Sequence, residues 1–316
     1  MGRRRVFSSS GDRIRRTGVH AVHRSPFAVQ VLGGAAGSLL AAIFPSDCRI
    51  CRTPLATFSR LPVCSSCLES IVPVQSSRCE MCADVLAECE PGPLCVECSR
   101  NERYFRRATS FAAYGGTLRE LVHLLKYQRV RPAASVLGRA VAASAASLVH
   151  DFEDEEVLLV PVPLHRARFR ERGFNQAELI ACAARSGVAE ALGRKIKLET
   201  AALIRRRATE AQFGLTLEQR MAQVKGAFRV MFPERVKGRE VLLVDDVLTT
   251  GATVSECARV LMRAGASRVC VATAARAMKH ANDSASELIR QTMEGGTTVG
   301  VTPVGSGASR AASNAL

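Results

Sequence analysis

The chain of 316 residues has no tryptophan and three tyrosines, and aromatic residues make up only 5% of it. A core assembled from large stacked rings is excluded. A core exists all the same, because 47% of the residues are apolar, and it must lean on Ala, Val and Leu. A strong membrane-spanning run is also missing. The uncharged stretch PFAVQVLGGAAGSLLAAIFP is interrupted by Gln30, Ser38 and three glycines and is marginal in length for a bilayer helix. It follows an arginine-rich start, with seven Arg against one Asp in residues 1–24, so it superficially resembles a secretory signal. No small-residue cleavage site follows, and Cys48 comes after Pro-Ser-Asp rather than a lipid-attachment context. The expectation is a basic disordered tail leading into a short apolar helix over 32–44, no stable membrane span, and a cytoplasmic location.

A disulfide framework is lacking as well, although there are twelve cysteines. Nine fall between Cys48 and Cys98, and eight of these form four C-x-x-C pairs: Cys48/Cys51, Cys64/Cys67, Cys79/Cys82 and Cys95/Cys98. Twelve residues separate the pairs within each half, so the segment reads as an internal repeat. Repeated C-x-x-C is thiolate metal-site spacing, and it suits a reducing compartment. Two structural Cys₄ zinc ribbons are expected, with ligand pairing between the halves left open. A redox-active C-x-x-C is the weaker alternative, and Cys89 is left as a spare thiol.

The net charge of +15 is uneven. Residues 45–100 hold five basic and seven acidic residues, whereas 101–279 hold thirty basic against eighteen acidic. A basic domain favours anionic partners such as phosphorylated metabolites or nucleic acid. Apolar runs at Thr109–Tyr114, VLLVPVP, Glu240–Asp245 and Arg268–Thr273 alternate with helical periodicity in between. Helices are expected over GGTLRELVHLLKY, from Pro132 to about His150, from Asn175 to Leu192, and over Ala252–Ala264. Such alternation means a parallel sheet covered on both faces. Residues 280–316, rich in Ser, Gly, Ala and Thr, are expected to be a flexible C-terminal tail. The domain reading is therefore 1–44 tail and helix, 45–100 Cys-rich segment, 101–279 α/β domain, 280–316 tail.

In parallel α/β sheets ligands sit beyond the carboxyl ends of the strands. VLLVDDVLTTGAT drives an apolar strand into Asp245 and Asp246, then into a turn that opens a helix. Exposed N–H groups and the helix dipole make that turn, Thr249, Thr250, Gly251, Ala252 and Thr253, an anion site. The carboxylates suit hydroxyls or a divalent cation. A ribose 5-phosphate satisfies both halves, with phosphate in the turn and hydroxyls on the aspartates. The plain alternative is an ordinary strand-to-helix turn capped by Thr.

This stretch closely resembles the PRPP-binding motif of type I phosphoribosyltransferases. With the C-x-x-C pairs, LVHLLKY, PVPLHRARFRERGFNQAE and RRRATEAQFGLTLEQR in order, the chain from about Phe44 to Arg276 resembles the ComF family. The resemblance implies an α/β fold: a type I phosphoribosyltransferase-like parallel sheet flanked by helices, preceded by a small Cys-rich double zinc ribbon. It implies that Asp245 and Asp246 contact ribose hydroxyls and stabilise a developing oxocarbenium ion, and that magnesium arrives with PRPP. The arginine-rich loop after VLLVPVP corresponds to the pyrophosphate loop, with His165, Arg168 and Arg172 as candidates. His165 has a structural alternative, and Asn175 is read equally as helix cap and as ligand contact. Lys126 sits in a family-like position, though a solvated helix-end lysine is the plainer reading. Arg205–Arg220 resembles a mobile loop, with Thr209, Gln212 and Arg220 at the usual spacing; Gln223 departs from the Asn often found there. The family name implies a link to DNA uptake, with single-stranded DNA and competence proteins as partners, or to nucleotide metabolism. A non-catalytic nucleic-acid-handling or ligand-sensing protein using the same pocket is the alternative.

Overall fold

The structure is a computed structural model that describes residues 46–56, 59–86, 92–208 and 217–278. The expected N-terminal tail and helix, the tail after 279, Cys89, Thr209 and Gln212 lie outside the described residues.

Two small cysteine units come first. In one, a turn after Cys48 leads to α1 (Ser65–Glu69); in the other, a turn after Cys79 leads to α2 (Val96–Arg100). The repeat seen in the sequence is kept in the backbone. Arg52 and Ala83, each just after the second cysteine of its turn, both take the left-handed conformation. The isolated bridges Asp47↔Pro54 and Arg78↔Val85 close the two turns in the same way.

The α/β part has five strands in the order β1-β7-β6-β2-β3, every neighbouring pair parallel. They are β1 (Arg107–Ala113), β2 (Glu156–Pro161), β3 (Lys195–Leu198), β6 (Glu240–Leu248) and β7 (Arg268–Arg276). A separate antiparallel pair, β4 (Leu203–Arg205) and β5 (Phe228–Val230), was not expected from the sequence. The principal helices are α3 (Gly116–Gln128), α4 (Ala133–Ala145), α5 (Arg166–Arg172), α6 (Gln176–Leu192), α7 (Leu217–Val224), the short α8 (Pro233–Val236) and α9 (Ala252–Arg263). A 3₁₀ turn, Ala146–Asp151, continues α4, so the helical stretch reaches about as far as the sequence implied.

Alternation along the strands sorts the core into two layers. Val157, Leu159, Leu242, Val244, Cys270 and Ala272 face α3, α4 and α6. Leu158, Val160, Val241, Leu243, Val269 and Val271 face α9, α7 and the β4–β5 pair. Aliphatic strands buried on both sides explain why the domain manages without tryptophan.

Small residues set the packing of α4 on α6. A Cβ at Gly138 would fall 2.8 Å from the Ala183 Cβ, and one at Gly187 would fall 2.8 Å from the Ala142 Cβ. The stretch Ala133–Asp151 is long and apolar enough to cross a membrane by composition, but it is largely enclosed between the sheet and α6. Its apolarity is that of a core helix.

Candidate functional site

The carboxyl ends of β2 and β6 open on a cleft of about 470 Å³. Four regions distant in sequence line it. Thr249, Thr250, Ala252 and Thr253 come from the β6–α9 turn; His165, Arg168 and Arg172 from α5; Lys126 and Tyr127 from the end of α3; Arg205, Arg220 and Gln223 from β4 and α7. Most candidates read from the sequence are thereby brought to one place. Gln223 lines the cleft in spite of its departure from the expected Asn.

The β6–α9 turn owes its shape to Gly251, which precedes α9 with a φ of 79°. An L side chain is disfavoured there. No side chain caps α9, so its first N–H groups are not taken up by a threonine hydroxyl at the cap position. The Thr250 hydroxyl is a weak exception at one remove, accepting from the Ala252 N–H at 3.5 Å. The plain expectation of a Thr-capped turn does not describe this helix start.

The two aspartates do not share one face of the strand. Strand β6 runs on through both of them to Leu248. Successive side chains therefore point to opposite faces, Asp246 toward α3 and Asp245 toward α9. Neither is among the residues lining the cleft, whereas Lys126 is. Lys126 Nζ lies 2.7 Å from Asp246 Oδ1, with both side chains largely buried. The solvated helix-end reading of Lys126 is corrected here: α3 carries the lysine inward onto the strand end. Burial opposes the Lys126 ammonium, but Asp246, by charge and hydrogen bond, and Asp245 outweigh it and hold the group above its ordinary range. The second oxygen of Asp246 is buried with no hydrogen-bond partner.

Asp245 is pushed up to about 7, mainly by desolvation and further by Asp246; Lys126, the Asp246 N–H and Arg205 pull the other way. The Asp246 N–H donates to Asp245 Oδ1 at 2.9 Å. Near neutral pH this carboxyl sits close to its midpoint, where it can either carry charge or hold a proton.

The arginine-rich segment after β2 is a helix, α5, and not the loop expected from the sequence. His165 caps it, its Nδ1 accepting from the Ala167 N–H at 3.3 Å. This gives His165 a structural role while leaving it at the cleft wall. Arg172 is half-buried, bonded to Gln176 and 5.9 Å from the Tyr127 ring centre. Desolvation lowers its guanidinium pKa. Asn175 caps α6 through the Ala177 N–H and donates to the Val162 carbonyl at 3.1 Å. Both partners are backbone groups, which accounts for Asn175 structurally.

Two residues that sequence reasoning passed over hold the turn from behind. Arg276 donates to the Leu248 and Thr249 carbonyls, and Arg103 donates to the Thr250 carbonyl at 2.9 Å. An arginine closing the apolar strand ATAAR was the available signal for the first.

The eight cysteines form two groups, Cys48/Cys51/Cys64/Cys67 and Cys79/Cys82/Cys95/Cys98, each with its sulfurs within 4.8 Å of one another. The grouping is within each half of the repeat. Four converging thiols on two C-x-x-C turns are compatible with a structural zinc ion in each.

A parallel five-stranded sheet with this strand-end turn, preceded by two tetracysteine clusters, defines a phosphoribosyltransferase-like fold. The profile of the phosphoribosyl transferase domain matches residues 167–299. The DNA utilization protein YhgH of Salmonella typhimurium is 35% identical over 231 residues, covering 72% of this chain and 95% of that protein. Competence protein F of Haemophilus influenzae is 29% identical, covering 58% of this chain and 78% of that protein. Competence protein ComFC of Bacillus subtilis is 26% identical, covering 64% of this chain and 79% of that protein. The chain belongs to the ComF family.

Proposed function

We propose that the cleft binds PRPP, or a related ribose phosphate, and that the protein transfers the phosphoribosyl group to a nitrogen nucleophile in a process linked to DNA use. The observation that carries this reading is the convergence of the β6–α9 turn with α5 in one cleft. The turn supplies N–H groups and threonine hydroxyls for a 5-phosphate, from Thr249 to Thr253. Facing it, Arg168 and Arg172 supply planar donors for a pyrophosphate. Arg220 is positioned to follow ligand from the other wall.

In the proposed reaction the nucleophile bonds to ribose C1 while the C1–O bond to pyrophosphate breaks, and the electron pair leaves with pyrophosphate. Magnesium, entering with PRPP, would neutralise charge on that leaving group. Asp246 supplies negative charge beneath the ribose, where positive charge develops, and Asp245 adds to it when it is ionised. Lys126, paired with Asp246, holds that side chain in place. For the carboxylates to meet the ribose hydroxyls, Lys126 must give up part of its contact when ligand enters. Zinc in the two cysteine clusters has a structural part.

Calorimetric titration with magnesium and PRPP tests this. The wild type should bind, and Asp245→Asn/Asp246→Asn, shown folded by circular dichroism, should not. Failure of zinc-loaded wild type to bind would rule the reading out. Pyrophosphate release with candidate nucleobases or amines then separates an enzyme from a ligand sensor.

A second reading, nucleic-acid handling, is favoured by one feature. Arg166, Arg168 and Arg170 are all exposed on α5 beside the cleft, and the relatives are named for DNA utilization and competence. Binding of single-stranded DNA that weakens steeply with salt, and weakens again in Arg166→Ala/Arg170→Ala, would support it.

A further inference from the structure

We infer that the second tetracysteine cluster sets the conformation of the β6–α9 turn, with Arg276 and Asp84 as the positioning residues that connect the two. Its effect on ligand binding rests on the reading that this turn holds a phosphate; its effect on the turn itself does not.

Arg276 closes β7 and is 2% exposed. Its Nη1 donates to the Leu248 carbonyl at 2.9 Å, to the Thr249 carbonyl, and to the Ala277 carbonyl at 3.1 Å. Its Nη2 donates to Asp84 Oδ2 at 3.0 Å and lies 3.9 Å from Cys82 Sγ. One guanidinium thus grips the turn with one nitrogen and the cysteine unit with the other. Asp84 in turn is tied to the backbone of that unit, its carbonyl accepting from the Cys79 N–H at 2.8 Å. A parallel link runs through Arg103, which donates to the Thr250 carbonyl and lies 3.9 Å from Glu97 Oε2, between Cys95 and Cys98 in the chain.

Peptide planarity turns this grip into an orientation. In a trans peptide the N–H points opposite to the preceding C=O. Holding the carbonyls of 248, 249 and 250 on the cysteine side aims the N–H groups of 249, 250 and 251 away from it. Those are groups a phosphate in the turn would use. Four converging cysteines fit a divalent ion as thiolates, which makes a metal-loaded cluster a net anion beside Arg276. An N–H donor to a ligand sulfur is a common outer partner of such clusters. Metal loading would fix Cys82, Asp84 and hence the guanidinium; a loose cluster would release the turn. Lysine cannot substitute, because a point ammonium does not span both sides as the fork does.

The test compares full-length, zinc-loaded wild type with Asp84→Asn and Arg276→Lys. It uses hydrogen–deuterium exchange of peptides covering 248–255, in which the Ser255 N–H is bonded to the Gly251 carbonyl at 2.9 Å, zinc content, and magnesium–PRPP calorimetry. Exchange in the turn should rise in both variants, by about tenfold, while β2 and α6 stay protected. If wild type binds PRPP, the variants should bind it roughly tenfold or more weakly. Asp84 is not a zinc ligand, so Asp84→Asn is expected to keep its zinc; if zinc is lost, faster exchange in the turn still supports the connection. Should Arg276→Lys fail to fold, Asp84→Asn carries the test alone. Unchanged exchange across 248–255 in Asp84→Asn overturns the inference whether zinc is kept or lost. Absence of PRPP binding by wild type counts against the proposed function, and the exchange result stands apart from it.

Discussion

Lys126 Nζ lies 2.7 Å from Asp246 Oδ1, and through this pair α3 is fastened to the strand end that carries both aspartates. A buried pair is costly to break from one side, because the remaining charge stays desolvated. Lys126→Met should lower unfolding stability in urea by ~3 kcal/mol, within the usual range for one-sided loss. Lys126→Met/Asp246→Leu should recover most of it, since apolar replacement of a buried pair is often neutral. A Lys126→Met protein as stable as wild type would show the pair to be solvated.

Asp245 gives a pH signature. Its folded value of about 7 lies above the ordinary 3.8, so the folded chain keeps a proton that the unfolded chain has already released. Stability linked to this group is present at low pH and is lost as pH rises through about 7. Asp245→Asn removes the penalty of a partly buried, desolvated anion. Its Tm should exceed that of wild type at pH 8 and approach it at pH 5. An equal difference at both pH values would argue against the raised value. The gain in stability should come with loss of PRPP binding, as expected where function holds a group in an unfavourable place.

The cysteine clusters predict metal content. Purified protein should carry two zinc ions per chain, one for each group of four sulfurs. Cys48→Ser and Cys79→Ser should each lose one, by elemental analysis. The two losses should differ in consequence. The first cluster packs on the core beside α3, with Ser70 Oγ 2.9 Å from Thr117 Oγ1. The second contacts Arg276, which in turn bonds the carbonyls of the turn. Global stability should fall in both, with the turn exposed to exchange chiefly in the second.

Gly251 sits at φ 79°, and an added Cβ would lie 3.2 Å from Arg103 Nη1. Gly251→Ala combines backbone strain with pressure on an arginine that holds the turn. The expected cost is ~1–2 kcal/mol in thermal or urea unfolding. PRPP affinity should fall further than that stability loss would explain, because the turn itself is deformed. Unaltered affinity would separate the turn from ligand binding.

The sheet was legible in the sequence because aliphatic runs such as VLLVPVP are buried on both faces and leave little alternative. The cysteine repeat was legible for a similar reason: ligand spacing is set by the turn that presents two thiols to one ion. The antiparallel β4–β5 pair was not, since three-residue strands leave no periodicity to read. Nor was α5, whose run of arginines hides a helix under charge. Lys126 and Arg276 were harder still. Their roles come from the partners that the fold brings to them, 120 residues away for Asp246 and 192 for Asp84. Local pattern carries no record of such pairs, although a charged residue at the end of an otherwise apolar helix face or strand is a fair reason to look.

The most direct measurement is a crystal structure of the zinc-loaded protein with magnesium and PRPP. The account predicts the 5-phosphate on the N–H groups and hydroxyls between Thr249 and Thr253, pyrophosphate against Arg172, and the ribose over Asp245 and Asp246. Lys126 should have drawn back from its 2.7 Å contact with Asp246. Ligand seated elsewhere, or a turn left empty in crystals of protein that binds PRPP in solution, would contradict it.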